Sequence, residues 1–193
     1  MKTEFIDLAH RGGDAGREDT QWGWYGSFKE FFVDKTLLDV GTGVSKIKDR
    51  VKEFGWNTKV TTHEACKDVA ADIYGDLTQL ATGSFQTVTC FDVIEHVKEY
   101  GRLVFNMARI ATETLVITTP GVQLAKCGNP YHWHEFETDE LCQLIEATGM
   151  IFIKAFGAEW KNYPFEPYPT REISYTEMRS NVTIHPIAVA YRK

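Results

Sequence analysis

At 193 residues the chain is long enough for one domain with a substantial core and short for two. Its 43% hydrophobic and 25% charged content is that of an ordinary globular protein, and a net charge of −6 argues against broad binding to a phosphate backbone. The four cysteines, Cys66, Cys90, Cys127 and Cys142, form no CxxC pair and no zinc spacing, so they read as reduced thiols. No run approaches membrane-spanning length and the N-terminus lacks a signal-peptide apolar region. A cytoplasmic protein without membrane contact is the expectation.

Residues 1–35 precede the first predicted strand. Arg11 to Arg17 is polar and glycine-rich and reads as a loop, while Phe28, Phe31 and Phe32 read as an aromatic face laid on a sheet. Thr36-Leu37-Leu38-Asp39-Val40 is a short apolar run, the pattern of a strand buried on both faces. It ends in Gly41-Thr42-Gly43, where the glycines permit unusual dihedrals and leave room for a ligand to touch backbone. Ile47, Val51 and Phe54 follow at helical spacing, and Gly55 stops that helix. Strand, glycine turn and helix make the first half of a nucleotide-binding βαβ unit. A dinucleotide fingerprint wants a further glycine where Lys46 stands, and it seats a pyrophosphate that Asp39 would repel. A carboxylate at Asp39 suits a ligand that brings a cation.

Lys59 to Glu64 is a β-branched second strand whose terminal acid is placed to accept from both hydroxyls of a ribose. A third strand begins at Ile73 and leads to Asp76-Leu77. The link between Glu64 and Ile73 is shorter than the dozen or so residues of a parallel crossover, so its helix is a stub or missing. Phe85 to Phe91 is the fourth strand. Asp92-Val93-Ile94-Glu95-His96-Val97 follows at its carboxyl end, where such sheets bind ligands. Leu103, Val104, Met107, Ala108 and Ile110 mark an amphipathic helix, and Thr114 to Thr119 is the fifth strand, stopped by Pro120-Gly121. Thr138 is a candidate N-cap for a helix lined by Leu141, Leu144 and Ile145 and ended by Gly149. Ile151 to Phe156 is a sixth strand. Val182 to Tyr191 is a seventh, with Pro186 pointing to a bulge or an edge.

The run Asp39-Val40-Gly41-Thr42-Gly43, the acids Glu64 and Asp76, and Asp92 to Val97 together resemble the class I S-adenosylmethionine-dependent methyltransferases. Ser45 departs from the third glycine of their first motif. The resemblance implies an α/β, Rossmann-like methyltransferase fold: a mostly parallel seven-stranded sheet with an antiparallel last strand and helices on both faces. It also implies one domain, with residues 1–35 as an N-terminal cap segment, 36–120 as the cofactor-binding half and 121–193 as the substrate-side half. The cofactor S-adenosylmethionine would be held by Asp39, Gly41, Thr42, Gly43, Glu64, Asp76, Leu77, Asp92 and Val93. In that family an acid such as Asp76 accepts from the adenine amino group and the next N–H, here that of Leu77, donates to the ring. Trp22 to Tyr25 is then either a cap over the site or an aromatic packing element. Trp160 to Thr170 is a substrate-side wall or lid, or else an ordered connection or a dimer contact.

Methyl transfer from a sulfonium is an in-line displacement that needs positioning, exclusion of water and, for a hydroxyl acceptor, removal of a proton. Histidine is the natural base near neutral pH. His134-Glu135-Phe136 matches a segment the resembled enzymes carry after the fifth strand, which makes His134 the candidate base and His96 a second candidate. The expected acceptor is a small molecule, nucleic acid is not an expected partner, and no resident metal is expected. An alternative is a metal-assisted RNA 2′-O-methyltransferase, with Asp92, Glu95 and His96 joined by His132 or His134 as ligands. Another is a non-catalytic S-adenosylmethionine-binding protein of the same fold. Asp39 and Lys46 disfavour a nicotinamide dehydrogenase.

Overall fold

The computed structural model describes residues 28–43, 47–120, 130–158, 170–180 and 187–193. Trp22 to Tyr25 and all of the Trp160 to Thr170 segment but its last residue lie outside them. The apolar run at 36–40 forms strand β1 (Thr36–Val40), and its burial on both faces follows from its composition. Leu38 and Val40 enter one hydrophobic cluster while Leu37 enters another on the opposite face. The chain then builds helix α1 (Ile47–Glu53), β2 (Lys59–Glu64), β3 (Ile73–Tyr74), β4 (Phe85–Phe91), helix α2 (Tyr100–Ile110) and β5 (Ala111–Thr119). Helix α3 (Thr138–Glu146), β6 (Ile151–Ala158), β7 (Thr170–Ile173), the short helix α4 (Tyr175–Met178) and β8 (Ile187–Arg192) complete it.

Among the described residues the strands form one sheet of eight in the order β3-β2-β1-β4-β5-β8-β6-β7. β1 pairs in parallel with both β2 and β4, β2 with β3, and β4 with β5. β8 runs antiparallel between β5 and β6, so the last strand has the expected direction. The strand count differs from the expected seven because Thr170–Ile173 pairs antiparallel with β6 and adds an outer edge. That short edge strand carries no alternation for a pattern to reveal. Because successive strands turn one way from β1 to β3 and the other way through β4 and β5, the order reverses between β1 and β4. Open α/β sheets bind ligands at the carboxyl ends of the strands flanking such a reversal.

Helices cover both faces. α2 and α3 bury Val104, Met107, Leu141 and Ile145 against Val88, Cys90, Leu115 and Ile117. On the other face Ile47 and Val51 of α1 pack with Phe28, Phe32, Leu37 and Val116. Phe28 and Phe32 flank a single 3-10 turn, Lys29–Phe31, and lie fully buried on the sheet, the aromatic role read from the sequence. Phe54 does not join this core. It lies beyond the helix end, is 53% exposed and stacks on Trp56. Thr138 is not the N-cap of α3: Glu137 holds that place, and the buried Thr138 hydroxyl donates to Met178 O at 2.7 Å. The link between β2 and β3 contains no helix. There the Asp72 carboxylate accepts from Thr62 N and Thr62 Oγ1, closing part of the β2 edge that a longer crossover would cover.

Candidate cofactor site and its neighbouring histidines

The glycine turn is tied to the end of β2, because Gly41 N and Thr42 N both donate to His63 O, at 3.0 and 3.2 Å. Gly41 and Gly43 adopt φ of +69° and +54°, the left-handed region that favours glycine. Gly41 has a second reason to be glycine, since a Cβ there would fall 2.5 Å from Val93 Cγ2. At Gly43 a Cβ would meet, among the described residues, only Gly41 O, at 3.9 Å. Glu64 lies across the turn, its Oε1 accepting from Gly43 N at 2.5 Å. Asp39 is buried behind it and accepts from Thr89 Oγ1 at 2.7 Å.

The other wall begins at Asp92, directly after β4, whose φ of +53° is uncommon for a residue with a side chain. Thr118 of β5 fixes that conformation: its carbonyl and hydroxyl both accept from Asp92 N, and its hydroxyl donates to Asp92 Oδ1 at 2.9 Å. Strained backbone held by its surroundings is often found at functional sites. Val93 follows and packs on Gly41, so the two halves of the crevice touch.

Asp76 caps the 3-10 turn Leu77–Gln79, accepting from Thr78 N at 2.9 Å, and pairs with Arg102 of α2. The Thr78 N–H and hydroxyl, with Arg102 beside them, hold its carboxyl below the usual carboxylate range. Leu77 is buried beneath the turn. His63, at the end of β2, is buried with Nε2 2.8 Å from Gly75 O. Burial lowers its pKa, while the Gly75 carbonyl and the carboxylates of Glu64 and Asp76 act in the opposite sense.

Past Val93 a 3-10 turn, Ile94–His96, buries Glu95 and His96. The loop that follows β5 returns to this turn, since Trp133 N and His134 N donate to Glu95 O at 2.8 and 3.3 Å. His132 thereby meets His96 edge to face, with ring centroids 4.8 Å apart. His134 points elsewhere. Its Nε2 lies 2.7 Å from Glu140 Oε1 on α3, and its ring stacks on Tyr100 and meets Phe136 edge-on.

The structure thus gathers Asp39, Gly41, Thr42, Gly43, Glu64, Asp92 and Val93 around the β1/β4 reversal, with Asp76 and Leu77 beside β3. Sequence reasoning passed over Thr118, Thr119 and His63. The first two sit at the end of a strand whose hydroxyls face the acids after β4, a relation that only the pairing of β4 with β5 creates. A cleft of about 670 Å³ lies at the opposite end of the sheet, where Lys35, Glu113 and Lys193 line it. No residue of the glycine turn reaches that end.

The sequence matches no protein-family model and no curated protein. Solved structures do match along nearly the whole chain. A S-adenosylmethionine-dependent methyltransferase of Thermotoga maritima superposes with a TM-score of 0.69 at 16% identity, covering 96% of this chain and 92% of its own. One from Archaeoglobus fulgidus gives 0.69 at 15% identity, covering 98% and 99%. Magnesium protoporphyrin IX methyltransferase of Synechocystis PCC 6803, crystallised with S-adenosylmethionine bound, gives 0.60 at 16% identity, covering 100% and 86%. The chain has the class I S-adenosylmethionine-dependent methyltransferase fold.

Proposed function

We propose that this protein transfers a methyl group from S-adenosylmethionine to a small-molecule acceptor. The observation that carries the reading is the joining of Gly41–Gly43, Glu64 and the left-handed Asp92 at the reversal between β1 and β4, on a methyltransferase fold. The donor set fits this cofactor. Asp39, Glu64, Asp76 and Asp92 are all carboxylates, suited to ribose hydroxyls, an amine and a sulfonium, and unsuited to a pyrophosphate. Among the described residues nothing crowds Gly43, which lets a ligand approach the backbone, and Thr42 Oγ1 is a buried hydroxyl with no hydrogen-bond partner there.

In this reading Glu64 accepts from the ribose hydroxyls while Gly43 N–H holds its other oxygen. Asp76 and the N–H of Leu77 read the adenine edge. Asp39 and Asp92 face the cationic end of the cofactor. When bound, the cofactor supplies a methyl group made electrophilic by its sulfonium. His134 takes the proton of a hydroxyl acceptor through Nδ1, with Glu140 fixing the ring through Nε2. A net charge of −6 and the small-molecule substrate in the name of the Synechocystis neighbour support a small acceptor over RNA. Calorimetry should find S-adenosylhomocysteine bound and NAD ignored. A methyl-donor turnover screen over phenols, sugars, carboxylates and amines then identifies the acceptor. Failure to bind S-adenosylhomocysteine sinks the reading.

A further inference from the structure

We propose that Glu95, His96 and His132 bind a divalent first-row transition-metal ion. One ligand atom from each lies within 4.8 Å of the other two, the grouping of this kind among the described residues. Side chains from two separate segments meet here because the loop after β5 is stapled to the 3-10 turn by the bonds of Trp133 N and His134 N to Glu95 O. Glu95 is 1% exposed and His96 9%, while His132 is half-buried, so the cluster is largely shielded by the protein.

The protonation pattern favours ligation. His96 Nδ1 lies 3.1 Å from Tyr131 O, an oxygen that only accepts, so Nδ1 carries the hydrogen and the lone pair sits on Nε2. That Nε2 is 3.8 Å from Glu95 Oε1. His132 Nδ1 lies 3.3 Å from the Glu135 carboxylate, which assigns its lone pair to Nε2 in the same way. Thr119 Oγ1 donates to Glu95 Oε2 at 3.2 Å and orients the carboxylate. Each of the three side chains is therefore held by an outer group, as metal ligands are: histidines that bind a metal through one nitrogen donate the other to a carbonyl or carboxylate. Bonds of about 2.0–2.2 Å to an ion would separate the ligand atoms by roughly 3.4 Å, a closure that small side-chain rotations achieve.

Two imidazoles and one carboxylate suit zinc, cobalt, manganese or iron rather than calcium or magnesium, which favour oxygen alone. Three protein ligands leave at least one position for water or for an oxygen of a bound molecule. The site stands apart from the methyltransferase reading, because an ion needs neither cofactor nor acceptor to occupy it.

Cobalt(II) is the probe. Purified chain, stripped with a chelator and dialysed, should take up about one Co²⁺ and develop visible absorption bands of a nitrogen- and oxygen-bound ion. Glu95→Gln and His132→Ala should lose both signals while keeping the far-UV circular dichroism of the parent. Absence of uptake by the parent overturns the proposal, as does undiminished uptake by both variants. Should the variants fail to fold, ring-nitrogen NMR of the parent decides. Added Zn²⁺ should move the Nε2 resonances of His96 and His132, and a response confined to the other histidines overturns the site.

Discussion

Val93 stands directly against Gly41: a Cβ built on that glycine would lie 2.5 Å from Val93 Cγ2 and 2.8 Å from Cγ1. One contact therefore locks the turn after β1 to the segment after β4. Two costs face any substitution. The φ of +69° charges a side chain about 1–2 kcal/mol. Pushing Val93 aside adds roughly 1–3 kcal/mol of overpacking. Gly41→Ala should lower the unfolding free energy measured in urea by the sum, and Val93→Ala in the same chain should recover the steric part alone. A double-mutant cycle with no coupling between the two positions would show that the contact is absent.

Glu64 tests the cofactor site itself. Its Oε1 is bonded to Gly43 N, so Glu64→Ala removes an acceptor for the ligand and a tie on the turn. Loss of hydrogen bonds to a charged acceptor is worth about 2 kcal/mol, or roughly 30-fold in the dissociation constant of S-adenosylhomocysteine by calorimetry. Parent-like affinity would move the ribose elsewhere.

The elements that pack strongly were legible; those held by backbone pairing or by single polar contacts were not. Thr36–Val40 and Phe85–Phe91 have the bounds their apolar runs predict, because central strands buried on both faces write their limits in composition. β5 begins at Ala111 rather than Thr114, extended by pairing with Phe85 across a register shift that no pattern announces. The last strand begins among the described residues at Ile187, and Val182 and Pro186 lie outside them. The four-residue helix α4 went unread: it is held by a capping box in which Ser174 and Glu177 bond each other's backbone, and it is too short for a hydrophobic period to mark it. At the site, Asp39, Glu64 and Asp92 were visible as acids ending strands. Their partners Thr89, Gly43 and Thr118 come from across the sheet, where only topology places them.

His63 sets a pH dependence for stability. Burial lowers its pKa from the ordinary 6.5, outweighing the Gly75 carbonyl and the nearby carboxylates. Above pH 6.5 the ring is neutral in both folded and unfolded chains, and stability is complete. As pH falls from there toward the lowered folded value, the unfolded chain takes up a proton that the folded one refuses, and stability declines. Urea midpoints at about pH 7.5 and 5.5 should therefore fall in the parent and fall less in His63→Gln. An equal decline in both chains would assign the effect to other groups.

His134 separates chemistry from scaffolding. Its ring is 32% exposed at the side chain, stacked on Tyr100 with centroids 4.9 Å apart and paired with Glu140. The stacking fixes the plane of the ring and the carboxylate fixes one nitrogen, which suits a base and also suits a loop anchor. The two roles differ in what a substitution disturbs. If His134 removes the acceptor's proton, His134→Gln should lower turnover by ~10²–10⁴-fold, the loss typical of an acid–base group. S-adenosylhomocysteine affinity and melting temperature should stay near those of the parent. Glu140→Gln should cost less, because the imidazole remains and loses only its orientation. An anchor predicts the reverse: a lower melting temperature in both variants, and turnover that falls only as far as the loop loosens. Parent-level turnover of His134→Gln on the acceptor found by the screen would remove the base from the mechanism and leave positioning to account for the rate.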